Sequence, residues 1–158
     1  MALSSSVARV RAALVAAGHP DRITEFPEGT RTAEDAAAAV GCEVAQIAKS
    51  IVFRAGAQAV VVITSGANRV DTKKLEAALG QPVKRADADF IRTTTGFAIG
   101  GVAPVGHLSP PLLVFDRDLQ ALHPIWAAAG SPSHVFATEA ETLVRITGAI
   151  VADIRQEN

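Results

Sequence analysis

The 158-residue chain has no tyrosine, one tryptophan, one methionine and a single cysteine, Cys42. One cysteine cannot close an internal disulfide or supply a multi-cysteine metal site. No apolar run approaches the roughly 18 residues that a membrane-crossing helix requires, which excludes a helical membrane protein. The first residues, Met1 to Ala8, lack the basic start and apolar core of a secretory signal. A charge excess is missing too: 15 Lys plus Arg against 16 Asp plus Glu leave a net charge of −1. Strong stand-alone duplex binders carry a basic surplus, because neutralising phosphates supplies most of their affinity. A polyanionic partner would therefore have to be held by a local patch, or with help from another protein. What remains is aliphatic: 49% of residues are hydrophobic, 20% are charged and the mean hydropathy is +0.26. That composition belongs to a folded chain, and the length matches the prior of roughly 150 residues per domain. The expectation is one soluble, cytoplasmic domain spanning residues 1–158.

Helix and strand signals alternate along the chain. Ser4 to Ser6 offer N-caps for a helix with Val7, Val10 and Leu14 on one face, closed by Gly18. Thr32-Ala33-Glu34-Asp35 resembles a capping box before an alanine-rich helix that stops at Gly41. A helical turn over Glu43 to Ala48 leads to a strand at Ser50–Phe53. Ala59 to Thr64 is a second strand, so apolar that it should be central. Asp71 caps a helix bearing Leu75 and Leu79, and Asp87 to Arg92 reads as another short helix. Strands follow at Leu112–Phe115 and His134–Ala137. A capping box at Thr138–Glu141 opens a helix carrying Leu143, Val144 and Ile146, and Ile150–Ala152 is a last short strand. The pattern predicts an α+β or mixed α/β fold with no repeat and no linker.

One segment departs from ordinary economy. Thr93 to Pro111 holds four glycines (96, 100, 101, 106), three prolines (104, 110, 111) and three consecutive threonines. Long loops of this kind are often functional, and paired glycines let a ligand approach the main chain. A surface hairpin rich in turn residues is the alternative reading.

Few side chains advertise chemistry. Cys42 has no neighbouring lysine or arginine and reads as a small buried hydrophobe rather than a nucleophile. Histidines 19, 107, 123 and 134 show no metal-ligand spacing, so no metal is expected. No Gly-x-Ser-x-Gly elbow, GxGxxG or Walker lysine is present. Lys73, Lys74 and Arg69 read as a solvated helix face or as a small basic patch for phosphates. Lys49 stands out because it lies in a predominantly apolar stretch. Its ammonium must either reach solvent along its stem or point into a polar pocket.

A family resemblance rests on motifs in a fixed order: Arg31 to Ala37, Gln46-Ile47-Ala48-Lys49-Ser50-Ile51-Val52-Phe53, Ser65-Gly66-Ala67-Asn68-Arg69-Val70-Asp71, Thr95 to His107, and Leu143 to Ala149. In this order and spacing the chain, from about Arg31 to Ile154, resembles the YbaK family, free-standing relatives of the editing (insertion) domain of bacterial prolyl-tRNA synthetase. The resemblance implies a compact mixed β-sheet, partly barrel-like, flanked by helices. It implies an activity as well: trans-editing, the hydrolysis of the ester joining a wrong amino acid to tRNA, typically tRNA for proline. It assigns the family's essential lysine to Lys49 and its Gly-x-x-x-P loop to Gly100–Pro104. Lys49 and Gly101 are then expected at the reacting centre, with Gly100, Pro104, Ser50, His134 and Phe26 contacting substrate. No cofactor is implied. The partners implied are misacylated tRNA and possible company in prolyl-tRNA synthetase or another synthetase.

The chemistry fits that implication. An aminoacyl ester is already activated, so an editor has to position it and a water rather than supply a strong nucleophile. A pocket separates side chains differing by one methylene by only ~1–3 kcal/mol, which is why a second, hydrolytic sieve exists. Small acyl groups (Ala, Cys, Ser, Thr, 2-aminobutyrate) are the expected substrates, with proline excluded. Two other readings stand beside this one: a non-catalytic module that docks on tRNA or a synthetase, and a hydrolase of a different small ester or thioester.

Overall fold

A computed structural model describes residues 2–20, 22–26 and 32–157. Arg31, the first residue of the earliest motif, lies outside them. The elements are α1 (Ala2–Ala16), β1 (Ile23–Glu25), α2 (Ala33–Val40), a 3-10 turn at Val44–Gln46, β2 (Ile47–Ala55), β3 (Gln58–Ser65), α3 (Thr72–Leu79), β4 (Lys84–Arg85) and α4 (Ala88–Thr95). They continue with β5 (Leu112–Asp116), a 3-10 segment at Arg117–Ala121, β6 (Ile125–Ser131), β7 (His134–Thr138), α5 (Ala140–Thr147) and β8 (Ile150–Ala152). The expected mixed α/β fold is present.

The strands form one sheet in the order β1-β7-β6-β2-β3-β5-β8, with β4 attached to β2. Its centre is β3, buried from Ala59 to Ser65 as its continuous apolar run predicts. This strand runs antiparallel to β2 and parallel to β5. One face of the sheet presents Ala48, Val52, Val61, Ile63, Ala127 and Phe136 to α1, α4 and α5. On the other face Phe53, Val60, Val62 and Val114 pack against Leu75 of α3 and Ile154. The alternation follows the period of two that a sheet buried on both faces demands.

Several expectations change. Ser4 to Ser6 lie within α1, which begins at Ala2, although Val7, Val10 and Leu14 are buried as the periodicity predicts. The turn predicted over Glu43–Ala48 is cut short, because Ile47 and Ala48 already pair with β3 and β6. Lys49 is therefore the third residue of β2 rather than a helix-to-strand junction. Thr138 is not a helix cap. It is a buried strand end whose Oγ1 lies 2.8 Å from His19 Nε2, and the N-cap position of α5 falls to Glu139. At α2 the capping reading agrees: Thr32 Oγ1 accepts from the Asp35 N–H. The helix expected at Asp87–Arg92 extends to Thr95, with Thr94 and Thr95 hydroxyls bonded back to Phe90 and Ile91 carbonyls. Strands β1, β4 and β6 have no counterpart in the sequence reading.

Candidate active site

The site begins as a gap in the sheet. On its outer edge β2 pairs with β6 only at Ile47↔Trp126 and Ala48↔Ala127, and with β4 only at Phe53↔Arg85 and Arg54↔Lys84. Between these pairings, Lys49 to Val52 have no strand partner on that edge among the described residues. Alternate backbone N–H and C=O groups of an unpaired edge point outward. Ile99, Gly100 and Val102 of the loop after α4 face the gap, and a cleft of about 380 Å³ opens there. That volume lies within the range of small-ligand sites. Its floor is Lys49 and Ser50 of β2, one wall is α2 with Glu34, and the other is β6 with Trp126.

Lys49 is half-buried and makes no ion pair with a described carboxylate. Burial pulls its ammonium below the usual lysine range, and Arg69 adds to this, while the negative charges of Glu34 and Asp116 push the other way. It is the one cation among the cleft-lining residues described, and Glu34 the one carboxylate. Next to it, the Ser50 hydroxyl is buried without a hydrogen-bond partner. A buried hydroxyl without a partner forfeits free energy that folding normally recovers, which makes it notable in a cleft.

The surrounding motif holds this geometry. Ser65 Oγ donates to the Ala45 carbonyl at 2.7 Å, and the Gly66 N–H donates to the Ile47 carbonyl at 2.7 Å. A Cβ on Gly66 would meet the Val44 carbonyl oxygen and lie 3.0 Å from Ala33 Cβ, so only glycine lets the turn before β2 and α2 approach this closely. Behind them, buried Asp116 at the end of β5 accepts from Thr64, the Ser65 N–H and Asn68. Thr64 is the direct cross-strand neighbour of Lys49.

The other expected residues divide into two groups. Gly100 lines the cleft with φ +91, and among the described residues no backbone carbonyl accepts from its N–H. Gly101 does not line it: its N–H donates to the Ala98 carbonyl at 3.0 Å, and its α-carbon packs on the backbone of Ser131. Pro104 is buried behind the loop and outside the lining. His134 and Phe26 come together with each other instead. His134 pairs in register with Glu25, and the Phe26 N–H donates to the Ser133 carbonyl at 2.7 Å. His134 Nδ1 lies 2.6 Å from Ser131 Oγ, and the next residue, Val135, lines the cleft, so this pair adjoins the cleft without lining it.

The sequence reading passed over Trp126. It lines the cleft and packs against the cluster of Ala36, Ala37 and Ile47. Its signal was available: it is the chain's one tryptophan, set in a run of small residues. The basic-patch reading of Lys74 does not hold, because its ammonium bonds Asp153, Glu157 and the Arg155 carbonyl. Cys42 is half-buried, and burial and Glu43 both push its thiol up, away from the reactive thiolate. Among the described residues no group of three or more His, Cys, Asp or Glu side chains gathers as metal ligands would.

Known proteins fall in line with this geometry. The chain is 32% identical over 110 residues to the uncharacterised protein YwhH of Bacillus subtilis (strain 168), covering 69% of this chain and 70% of that one. It is 30% identical over 96 residues to a proline--tRNA ligase of Geobacter sp. (strain M21), 60% of this chain but 17% of the ligase. A solved structure of a candidate trans-editing enzyme for prolyl tRNA synthetase superposes with a TM-score of 0.92 at 43% identity, covering 98% of this chain and 99% of that one. Residues 27–146 match the family model of the aminoacyl-tRNA editing domain, and with the cleft lysine, the open strand edge and the glycine loop all inside that span, the chain belongs to this family.

Proposed function

We propose that this protein removes small wrong amino acids from tRNA, with tRNA for proline as the substrate, by hydrolysing the aminoacyl ester in the cleft between β2, α2 and β6. The observation that carries this reading is the placement of one half-buried cation, Lys49, and the exposed Gly100 in one cleft with a mainly apolar lining. Water adds to the ester carbonyl and the carbon–ribose oxygen bond breaks. The proton from water passes to the departing ribose hydroxyl, releasing free amino acid and intact tRNA. An ammonium at Lys49 offsets the negative charge that grows on the carbonyl oxygen, or grips the terminal nucleotide. The unengaged N–H of Gly100 is the second donor. Gly101, whose N–H is already bonded, sets how closely the loop approaches Ser131. Ser50 offers a hydroxyl to the substrate, Pro104 stiffens the loop, and His134 and Phe26 act from the neighbouring β1–β7 edge. Ala127, Ala128, Val102 and Trp126 limit the acyl group to a small side chain.

Such a reaction takes place where aminoacyl-tRNA is made, in the cytoplasm. No described helix is long and apolar enough to cross a membrane. Prolyl-tRNA synthetase is the natural source of the substrate and a candidate docking partner, which the net charge of −1 makes useful for holding tRNA.

The test is deacylation of tRNA for proline charged separately with Ala, Cys, Ser, Thr, 2-aminobutyrate and Pro. Rapid clearance of one or two small residues, sparing Pro and lost in Lys49→Ala, is the expected result. Failure to clear any charged tRNA, or equal clearance by Lys49→Ala, overturns the reading and leaves a binding module in its place. Clearance of small esters irrespective of the tRNA points to a general esterase in the same cleft.

A further inference from the structure

The loop that carries Gly100 has a fixed root and a free tip. Phe97, Val102 and Ala103 are buried, whereas Ala98, Ile99 and Gly100 are exposed. What fixes the root is a residue from the far end of the chain. Arg9, on α1, donates from Nε to the Gly106 carbonyl at 2.9 Å, and from Nη2 to the Gly96 carbonyl at 2.9 Å and the Thr95 carbonyl at 3.4 Å. Its guanidinium also lies over the Phe97 ring, 4.8 Å from the centroid. Gly96 and Gly106 stand on either side of the loop, 87 and 97 residues away in sequence, and one planar cation holds both.

The glycines make room for this clamp. A Cβ on Gly96 would collide with the Arg9 guanidinium, and one on Gly106 would lie 3.3 Å from the backbone of Arg9 and Val10. The same helix turn presses on the other side of the loop: a Cβ on Gly130 would sit 2.8 Å from the Ser6 carbonyl oxygen, and the next residue, Ser131, is the backbone on which Gly101 rests. So α1 holds both the loop and the strand that the loop leans against. It does so from outside the matched family segment, residues 27–146.

We propose that Arg9 is a positioning residue for the cleft: by joining the two ends of the 96–106 loop it sets Gly100 against Lys49 without touching substrate. This rests on the editing reading above for what the loop does, while the clamp itself is a property of the fold. Only arginine suits the task, because its planar fork reaches two carbonyls and stacks on a ring at once, whereas lysine offers a single point charge.

The experiment compares the wild type with Arg9→Met and Arg9→Lys, using amide hydrogen exchange and deacylation kinetics on the same preparations. In Arg9→Met, amides of residues 97–106 should exchange about tenfold faster or more, while those of β3 keep wild-type protection, since loop opening is local. On tRNA carrying the preferred amino acid, kcat should fall about tenfold with KM changed less than about twofold, the pattern of lost transition-state geometry. Arg9→Lys, which keeps charge and stem, should lie between the two and serves if Arg9→Met fails to fold. Unchanged exchange across 97–106 in a folded variant overturns the clamp. Faster exchange with unchanged kcat overturns the positioning role. If the wild type clears no charged tRNA, the editing reading and this role in it both fall, and the exchange data still decide whether Arg9 clamps the loop.

Discussion

Asn68 Nδ2 donates to Asp116 Oδ2 at 2.8 Å, tying the loop after β3 to the end of β5 behind the candidate lysine. The same oxygen accepts from Thr64 and the Ser65 N–H, and Oδ1 accepts from the Asp118 N–H at 2.9 Å. Replacing Asp116 with alanine leaves several buried donors without an acceptor. Chemical denaturation should show a loss of about 3 kcal/mol, the range for breaking a buried hydrogen-bond network. A loss below about 0.5 kcal/mol would mean that water replaces the carboxylate at no cost.

Gly101→Ala tests the packing of the loop. The added Cβ falls 2.8 Å from Ser131 Cα and 3.0 Å from its N and C atoms, all backbone that cannot swing aside. The loop must move outward, with destabilisation of about 1–3 kcal/mol. Deacylation should fall by about tenfold or more, because ångström-scale misplacement is costly in a positioned reaction. Full activity in a folded variant would show that the loop's position is not critical.

Ser50→Ala separates stability from function. Its hydroxyl is buried and unpartnered, so removing it should leave stability unchanged or raise it by up to about 1 kcal/mol. If the hydroxyl meets substrate, kcat/KM drops while the melting temperature does not. A variant that loses stability and keeps its activity would assign Ser50 to packing.

His107 gives the fold a dependence on pH. Burial, with help from the Arg9 charge, holds its pKa down at about 4 against an ordinary 6.5, and the Ala103 backbone only partly opposes this. Between those values the unfolded chain takes up a proton that the folded one refuses. Stability should therefore be fully present above about pH 6.5 and decline as the pH falls toward 4, by up to about 3 kcal/mol. Urea unfolding at pH 7.5 and pH 5 would show it, and His107→Gln should flatten the slope across that window.

The sequence made some of this legible for plain physical reasons. Strands β3 and β5 are continuous runs of valine, isoleucine, leucine and phenylalanine, which few other structures accommodate. Strand β6 escaped notice because it is Ala-Ala-Ala-Gly-Ser after Trp126, poor in β-formers. Its glycine is dictated from outside, by α1, whose Ser6 carbonyl oxygen lies 2.8 Å from where a Cβ on Gly130 would stand. Thr138 imitated a helix cap because a threonine ahead of a glutamate looks the same whether its hydroxyl caps a helix or meets His19. At the site, Lys49 and Gly100 were visible through their motifs, and they do share a cleft. Phe26 and His134 sit in no motif of their own, and the strand register sends them to the adjoining edge. Trp126 carries a compositional signal as the lone tryptophan, but only the register that sets β6 beside Ile47 brings it to the cleft. Arg9 was hidden more deeply, since its partners are carbonyls, which carry no side-chain signature.

The unpaired stretch of β2 has one more consequence. A bare strand edge is a template for any other extended chain, and proteins ordinarily hide such edges or guard them with charge. Here Lys49 supplies the charge and the glycine loop supplies the cover. A variant whose loop lifts away would be poorer at its chemistry and would also acquire an adhesive rim, ready to recruit a strand from a second molecule. The proposed chemistry and the cover of this strand edge thus rest on the same few residues of loop.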